Sequence, residues 1–324
     1  MNDRPLISVL MPAYNHERYV EASVRSVLEQ EEHRIELLVA DDGSRDATWS
    51  ILQSLRPECE RRCERVEMFT QENQGICMTL NRLCERARGE FIALIASDDM
   101  FLPGAFSALV EPMLADESVG LVVGQNELMD AEGRRCYWDE RRSLVYDEKS
   151  ARYRTFNEQA LESVGLTAGD ADFGTYARLL RGNHVANGLM IRRSVLLKVL
   201  PYRREAPLED WWFHLQLSKI ARYREIPTHT FRYRWHAANT VKQSERIERM
   251  AIATLIWEAR HVHELPDSKW AQTFDRETAT ERTVWSLGPW LRMVKRRDVW
   301  RKQSVLCWGC HEWVWHERRY EVEI

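Results

Sequence analysis

Five short apolar runs, Leu6 to Met11, Ile35 to Ala40, Val66 to Phe69, Phe91 to Ala96 and Val119 to Gly124, recur about every 25 to 30 residues. That spacing leaves room for one helix between successive strands and suits strand–helix–strand units. Val20, Val24, Val27 and Leu28 fall on one helical face between the first two runs. Thr48 to Leu55, Ile76 to Ala87 and Ala105 to Leu114 supply the next helices, and Pro103 and Gly104 suit the start of the last. The repetition predicts an α/β chain on a mostly parallel sheet flanked by helices.

From about Met129 to Val185 the pattern weakens into charged, Gly-containing segments with two or three short helices, and Gly188 to Ile191 reads as a further strand. No glycine lies between Gly188 and Gly288, and eight of the thirteen tryptophans stand from Trp257 onward. This shift in composition predicts a main domain of residues 1–240, divided near residue 125, and a helical C-terminal appendage over 241–324.

Forty-six basic and 50 acidic residues, a net charge of −4, are spread along the chain, which excludes the basic stripe of a nucleic-acid binder. Met1 to Pro5 runs straight into the first apolar run without the regions of a secretory signal, so the chain is expected in the cytoplasm. No stretch reaches the roughly 20 apolar residues of a membrane span, and membrane contact is limited to the periphery. Seven cysteines read as reduced thiols. Cys307-Trp308-Gly309-Cys310-His311 matches the haem-attachment pattern, but that chemistry needs an export route. Cys59 and Cys63 lack a second pair for zinc.

In an open parallel sheet, ligands gather beyond the carboxyl ends of the strands. Pro12-Ala13-Tyr14-Asn15, Asp41-Asp42-Gly43-Ser44 and Ser97-Asp98-Asp99 each follow an apolar run and are expected to converge. Neither G-x-G-x-x-G nor G-x-x-x-x-G-K-[ST] occurs, so a diphosphate must be neutralised without a glycine cradle. Paired carboxylates at a strand end suit Mg²⁺ or Mn²⁺, which acts as a Lewis acid on a leaving diphosphate. Either acidic pair alone also reads as a turn or helix cap. An aspartate at Asp42 can accept from a uracil or thymine N–H while Tyr14 stacks on the ring.

These motifs resemble the family 2 glycosyltransferases with the GT-A fold, from Ser8 to about Thr240. Ile7 to Asn15 is similar to the family's opening strand, Val39 to Ser44 to its second, and Ala96 to Asp99 to its D-x-D site. Asn73-Gln74-Gly75 with Asn81 resembles the nucleotide-side helix, with Leu80 where the commoner pattern has arginine. The resemblance implies that Pro12, Tyr14, Asn15, Asp42, Asn73, Asn81 and Ser97 serve the donor nucleotide. It further implies that Asp98 contacts the ribose or the metal shell and that Asp99 binds Mn²⁺ or Mg²⁺.

Glu209-Asp210 opens Trp211-Trp212-Phe213-His214-Leu215, where acids also suit a helix start. By resemblance Asp210 is the general base of an inverting displacement. Phe231 to Thr240 resembles the family's Y-R-x-H-x-x-N-T ending, which offers His236 to the metal or diphosphate. Arg234 is a candidate diphosphate contact, or a salt bridge, and Glu209 and Trp211 stand beside it on the diphosphate or acceptor side.

The implied reaction moves a sugar from a nucleotide-diphosphate donor, UDP- or dTDP-linked, to a hydroxyl of a glycan or lipid-linked acceptor, in surface polysaccharide or lipopolysaccharide synthesis. A sugar nucleotidyltransferase and a noncatalytic nucleotide-sugar-binding protein are the alternatives. The first lacks its glycine-rich, basic N-terminal loop, and Asp99 and Asp210 argue against the second. Trp285, Trp290, Trp300, Trp308, Trp313 and Trp315 lie among Arg292, Lys295, Arg296, Arg297, Arg301 and Lys302. They suit either docking on anionic lipid or packing on the core or a second subunit.

Overall fold

The computed structural model describes residues 4–30, 33–279, 312–315 and 318–321. Three strand–helix units and a fourth strand come first: β1 (Leu6–Ala13), α1 (Val20–Leu28), β2 (Arg34–Asp41), α2 (Thr48–Arg62), β3 (Arg65–Thr70), α3 (Ile76–Arg86) and β4 (Phe91–Leu94). The two-residue β5 (Met100–Phe101), α4 (Ala105–Ala115) and the long β6 (Val119–Met129) follow. A hairpin of β7 (Arg135–Trp138) and β8 (Leu144–Val145) leads to α5 (Phe156–Ser163), α6 (Tyr176–Leu179), β9 (Met190–Arg192) and α7 (Arg193–Leu196). Then come α8 (Glu209–Leu217), β10 (Arg222–Arg234), α9 (Ser244–Val262) and α10 (Ser268–Ala279), with a separate hairpin of β11 (Glu312–Trp315) and β12 (Arg318–Glu321).

The main sheet runs β3-β2-β1-β4-β9-β6-β10-β5. β1 to β4 are parallel, as the spacing predicts, and β10 lies parallel to β6. β9 is inserted antiparallel to both β4 and β6. Period-two alternation divides the strand side chains between two cores. Ile7, Val9 and Met11 of β1 join Ile35, Leu37 and Val39 of β2 beneath α1, α2 and α4. Leu10, Leu38 and Ala40 face the other side, under α3, α8 and α9. Near-continuous burial of β1 and β2 follows from helices on both faces.

α2 runs beyond the expected end at Leu55, through Pro57 to Arg62. Leu52, Leu55 and Cys59 keep the helical spacing of the buried face, while Pro57 stands on the exposed side, where water can serve the carbonyl its ring leaves unpaired. The appendage is helical through α10, but β11 and β12 pair as strands, with Trp313 opposite Tyr320. That segment departs from the helical expectation, and its aromatic and β-branched residues suit a hairpin. Trp285, Trp290, Trp300, Trp308 and the Cys307–His311 pattern lie outside the described residues.

α9 and α10 pack on the main domain. Glu258 of α9 is wholly buried and accepts from Tyr176 Oη at 2.5 Å, Gln216 Nε2 at 2.6 Å and Lys219 Nζ at 2.6 Å. Trp257 meets Trp212 edge-on at 5.6 Å, and Trp270 meets Tyr176 at 5.5 Å. Cys59, Cys63, Cys77, Cys84 and Cys136 are free and buried.

Candidate active site

The carboxyl ends of β1, β2 and β4 open on one crevice. Its first two loops are laced together. Asp42 N–H donates to Ala13 O at 2.8 Å, Asn15 N–H to Ser44 Oγ at 2.9 Å, and Arg45 N–H to Asn15 Oδ1 at 2.8 Å. Asn15 holds this geometry at φ 54°, a left-handed conformation that asparagine tolerates. Gly43 has φ 73°, and a Cβ there would lie 2.9 Å from Asn73 N, so glycine is needed for the close approach of loops two and three.

Asp42 organises that third loop. Its carboxylate accepts from Gln71 Nε2 at 2.8 Å and from the Gln74 and Gly75 N–H groups at 2.9 Å each, at the start of α3. Tyr14 is exposed beside it, Pro12 is half-buried in β1, and the Asn73 side chain stands in solvent. Asn81 is engaged elsewhere: its amide donates to Tyr202 O at 3.0 Å and accepts Tyr202 N–H at 2.7 Å, which ties α3 to the loop before α8.

After β4 the chain sets three groups together. Asp98 Oδ2 lies 2.9 Å from His236 Nε2 and 3.8 Å from His16 Nε2, and Ser97 Oγ bonds His16 Nδ1 at 2.8 Å. The potential ligand atoms of His16, Asp98 and His236 all lie within 4.8 Å of one another. With metal–ligand bonds of about 2.1 Å, two ligands on one ion stand about 3 Å apart in cis and about 4.2 Å in trans, so the 2.9 and 3.8 Å separations fit a single ion. Burial works against the Asp98 carboxylate, but the His236 hydrogen bond and the His16 and His236 charges hold it below the usual range. Burial lowers His16, against the pull of Asp98, and so favours the neutral imidazole that ligates metals.

Asp99, expected at the metal, stands outside that group. Its Oδ1 accepts Arg234 N–H at 2.8 Å, and burial followed by repulsion from Asp98 raises its pKa well above the ordinary value. Arg234 also departs from expectation, because its buried guanidinium clamps backbone. Nε donates to Asp98 O at 2.7 Å, and Nη1 to Asp130 O and Ala131 O at 3.3 Å. Asn239 closes the turn by accepting His236 N–H at 2.6 Å and donating to Arg234 O at 3.1 Å.

Asp210 sits on the first turn of α8. Its Oδ1 accepts Trp211 N–H at 2.7 Å and its Oδ2 accepts Asn183 Nδ2 at 3.0 Å. The carboxylate is crowded by protein yet reached by water, and this partial desolvation raises its pKa. Glu209 is raised by burial and then by repulsion from Asp210. Trp211 points into the core instead of the cleft: it is 1% exposed and donates Nε1–H to Leu179 O at 2.7 Å. Burial first, then the Asp99 and Asp98 charges, raises the Tyr233 hydroxyl, and Asp210 adds a smaller push.

His16, Asn183 and Asn187 were not identified from the sequence. His16 follows the quoted Pro12-Ala13-Tyr14-Asn15 motif by one residue, so its position after β1 was the available signal. Asn187, which hydrogen-bonds Asp99, and Asn183 lie in the weakly patterned middle segment. A groove of about 720 Å³ between Arg192, Lys198 and Arg222 lies where β6 and β10 begin and shares no residue with the site.

A GT-A-like sheet with a carboxylate–histidine cluster at its strand ends defines a class, and the family follows from sequence. The model of Glycosyl transferase family 2 matches residues 8–171, half of the chain, and the chain belongs to that family. It is 36% identical over 114 residues to the putative teichuronic acid biosynthesis glycosyltransferase TuaG of Bacillus subtilis, covering 35% of this chain and 44% of that one. It is 33% identical over 131 residues to the GalNAc(5)-diNAcBac-PP-undecaprenol beta-1,3-glucosyltransferase of Campylobacter jejuni, 40% of each chain. The match spans less than half the length of either relative.

Among solved structures, the fold is similar to the mannosyltransferase PcManGT of Pyrobaculum calidifontis in complex with GDP-Man and Mn²⁺, with a TM-score of 0.59 at 14% identity over 95% of this chain and 82% of that one. It is also similar to S. aureus TarS 1-349 in complex with UDP-GlcNAc, with a TM-score of 0.56 at 13% identity over 98% and 96% of the two chains.

Proposed function

We propose that the chain is an inverting glycosyltransferase that moves a hexosyl or N-acetylhexosaminyl group from a nucleoside-diphosphate sugar, UDP- or dTDP-linked, to a hydroxyl of a glycan or lipid-linked acceptor in surface polysaccharide synthesis. The observation that carries this reading is the His16–Asp98–His236 cluster at the strand ends. Asp42 and Tyr14 border the place for the base, and Pro12, Asn15 and Ser97 shape the loops that hold it.

His16, Asp98 and His236 would hold the divalent ion, with Asp99 fixing the loop behind them. Two imidazoles and one carboxylate favour Mn²⁺ over Mg²⁺, which prefers an all-oxygen shell. When bound, the ion supplies Lewis-acid stabilisation of the leaving diphosphate. Asp210, held by Asn183 and the Trp211 N–H, removes the proton from the attacking hydroxyl as the bond to the anomeric carbon forms. Its raised pKa makes it a stronger base than a solvated aspartate. Among the described residues no helix is long and apolar enough to cross a membrane. Contact of the C-terminal region with a membrane or a second subunit therefore rests on the Trp- and Arg-rich sequence.

The test is release of nucleoside diphosphate from a panel of sugar nucleotides, with Mn²⁺, with Mg²⁺ and with EDTA, for the wild type and His16→Ala. Turnover that depends on Mn²⁺, with apparent Mn²⁺ affinity about tenfold or more weaker in the variant, supports the assignment. Equal turnover in EDTA refutes the metal, and no turnover with any donor and acceptor favours a binding protein.

A further inference from the structure

Trp235 directly precedes His236 and carries two cations on its indole. The Arg142 guanidinium carbon lies 5.1 Å from the Trp235 ring centroid and 4.8 Å from that of Trp138. The two indoles meet edge to face at 4.8 Å. Lys242 Nζ lies 4.4 Å from the Trp235 centroid. Among the described residues neither cation has an acidic partner or a side-chain hydrogen-bond acceptor, and Arg142 Nε is buried without one. Two neighbouring arginines are engaged instead, Arg234 by carbonyls and Arg134 by Asp130.

The fold holds Arg142 there deliberately. It occupies the turn between β7 and β8 at φ 60°, a left-handed conformation unfavourable for an arginine. Asp139 fixes that turn, its Oδ1 accepting the Arg141 and Ser143 N–H groups at 2.8 Å each and its carbonyl accepting Arg142 N–H at 3.0 Å. Burial lowers the pKa of both cations, and the Arg142 charge lowers that of Lys242 further. Two like charges are thus held against one ring with no anion between them.

We propose that Arg142, Lys242 and Trp235 form a receptor for an oxyanion carried by the acceptor glycan, a sugar phosphate or a uronate carboxylate, which seats the acceptor beside the catalytic base. Arginine presents a planar fork of N–H donors that matches an oxyanion, and lysine adds a mobile point charge. The exposed part of the indole suits the apolar face of a pyranose. Position decides between donor and acceptor. The residues for the nucleotide, Tyr14 and Asp42, directly follow β1 and β2, whereas Trp138 ends β7 and Trp235 directly follows β10, on the other side of β4 in the sheet. The Tyr233 ring lies 6.3 Å from that of Trp235, and the charges of both Arg142 and Asp210 act on its hydroxyl.

This inference rests on the transferase reading, but its test needs no turnover, so the two fail separately. Calorimetric titrations of the full chain in EDTA, which removes any metal able to capture an anion, would use glucose 1-phosphate, glucuronate and glucose. Either anion should bind at least tenfold more tightly than glucose and raise the melting temperature, and the better of the two identifies the group. Arg142→Gln should weaken that anion tenfold or more. Lys242→Gln, at an exposed position where folding is not at risk, should weaken it severalfold. UDP binding with Mn²⁺ should stay unchanged in both variants. Equal binding of glucose and the anions, or anion affinity untouched by both substitutions, overturns the proposal. A parallel loss of UDP affinity also overturns it, since the receptor would then serve the donor diphosphate.

Discussion

Replacing Asp210 by asparagine removes the proton acceptor while keeping the size of the side chain, and the surroundings set what else changes. Asp210 accepts from two donors, Trp211 N–H and Asn183 Nδ2. An asparagine amide has one oxygen, so whichever way it turns, one donor faces its NH₂ group. Asn183 cannot flip freely to compensate, because its Oδ1 accepts Val185 N–H at 3.2 Å. The mismatch should cost about 1 to 3 kcal/mol of stability. Loss of general base catalysis should lower kcat about 10² to 10⁴-fold, or about 3 to 5 kcal/mol in the barrier. Donor affinity should hold, since nothing in the His16–Asp98–His236 cluster touches Asp210.

The pH profile separates catalysis from folding. Asp210 works ionised, so wild-type kcat/KM should rise with pH through its raised pKa, and Asp210→Asn should lack that limb. Stability has the opposite sign. A carboxylate raised by burial binds its proton more tightly in the folded state, so its stabilisation is complete below the ordinary carboxylate value and is lost as pH rises through the raised one. Steady-state kinetics and thermal melts from pH 5 to 9 measure both. A variant within tenfold of wild type, or one that keeps the acid limb, refutes the base assignment.

Asp98→Asn should abolish tight Mn²⁺ binding, whereas Asp99→Asn should leave it within about tenfold, because Asp99 accepts Arg234 N–H and lies outside the three-residue cluster; Mn²⁺ titration by electron paramagnetic resonance reads both, and equal losses would place the ion on both carboxylates. Glu258→Ala strands the buried Lys219 ammonium, whose pKa burial already lowers, and should destabilise the chain by about 3 to 5 kcal/mol in urea unfolding; a change below 1 kcal/mol would show that water compensates. Burial pushes the Cys59, Cys77, Cys84 and Cys136 thiols up to about 12 and Cys63 to about 11, so these five should resist a thiol reagent at pH 8 until the chain is unfolded. In liposome flotation with anionic lipid, the full chain should float and a truncation after Ala279, which keeps α9 with its buried Leu255 and Glu258, should not; equal behaviour of the two would remove the membrane role of the C-terminal region.

The parallel half of the sheet was legible because burial on both faces makes β1 and β2 continuous apolar runs, and each helix between them keeps its own periodicity. β9 carried a strand signal at Gly188 to Ile191, but its antiparallel direction is a matter of topology, which residue pattern does not encode. β5 is two residues long and has no period to read. At the site, the acidic loops and the start of α8 were visible from their positions after or before apolar runs. Which aspartate of the pair faces the cluster was not, since adjacent residues leaving a strand point to opposite sides and the turn that decides follows from Arg234 gripping Asp98 O. His16 was hidden for a related reason: the left-handed Asn15 swings it towards Ser97, and that bend is a backbone event.

The asymmetry of Asp98 and Asp99 has an electrostatic consequence for the donor. Two ionised carboxylates would by themselves offset both charges of a divalent cation held there. Burial and repulsion from Asp98 push the Asp99 pKa up, whereas the His236 hydrogen bond and the His16 and His236 charges pull that of Asp98 down. On the proposed reading, an ion held by Asp98 alone among the carboxylates would keep net positive charge for an incoming diphosphate in a crevice without a glycine cradle. The same accounting explains why Arg234 need not reach the diphosphate. Its charge lies beneath the Asp98–Asp99 loop, where it steadies the carboxylates, and on that reading a bound ion would present the positive charge to the ligand.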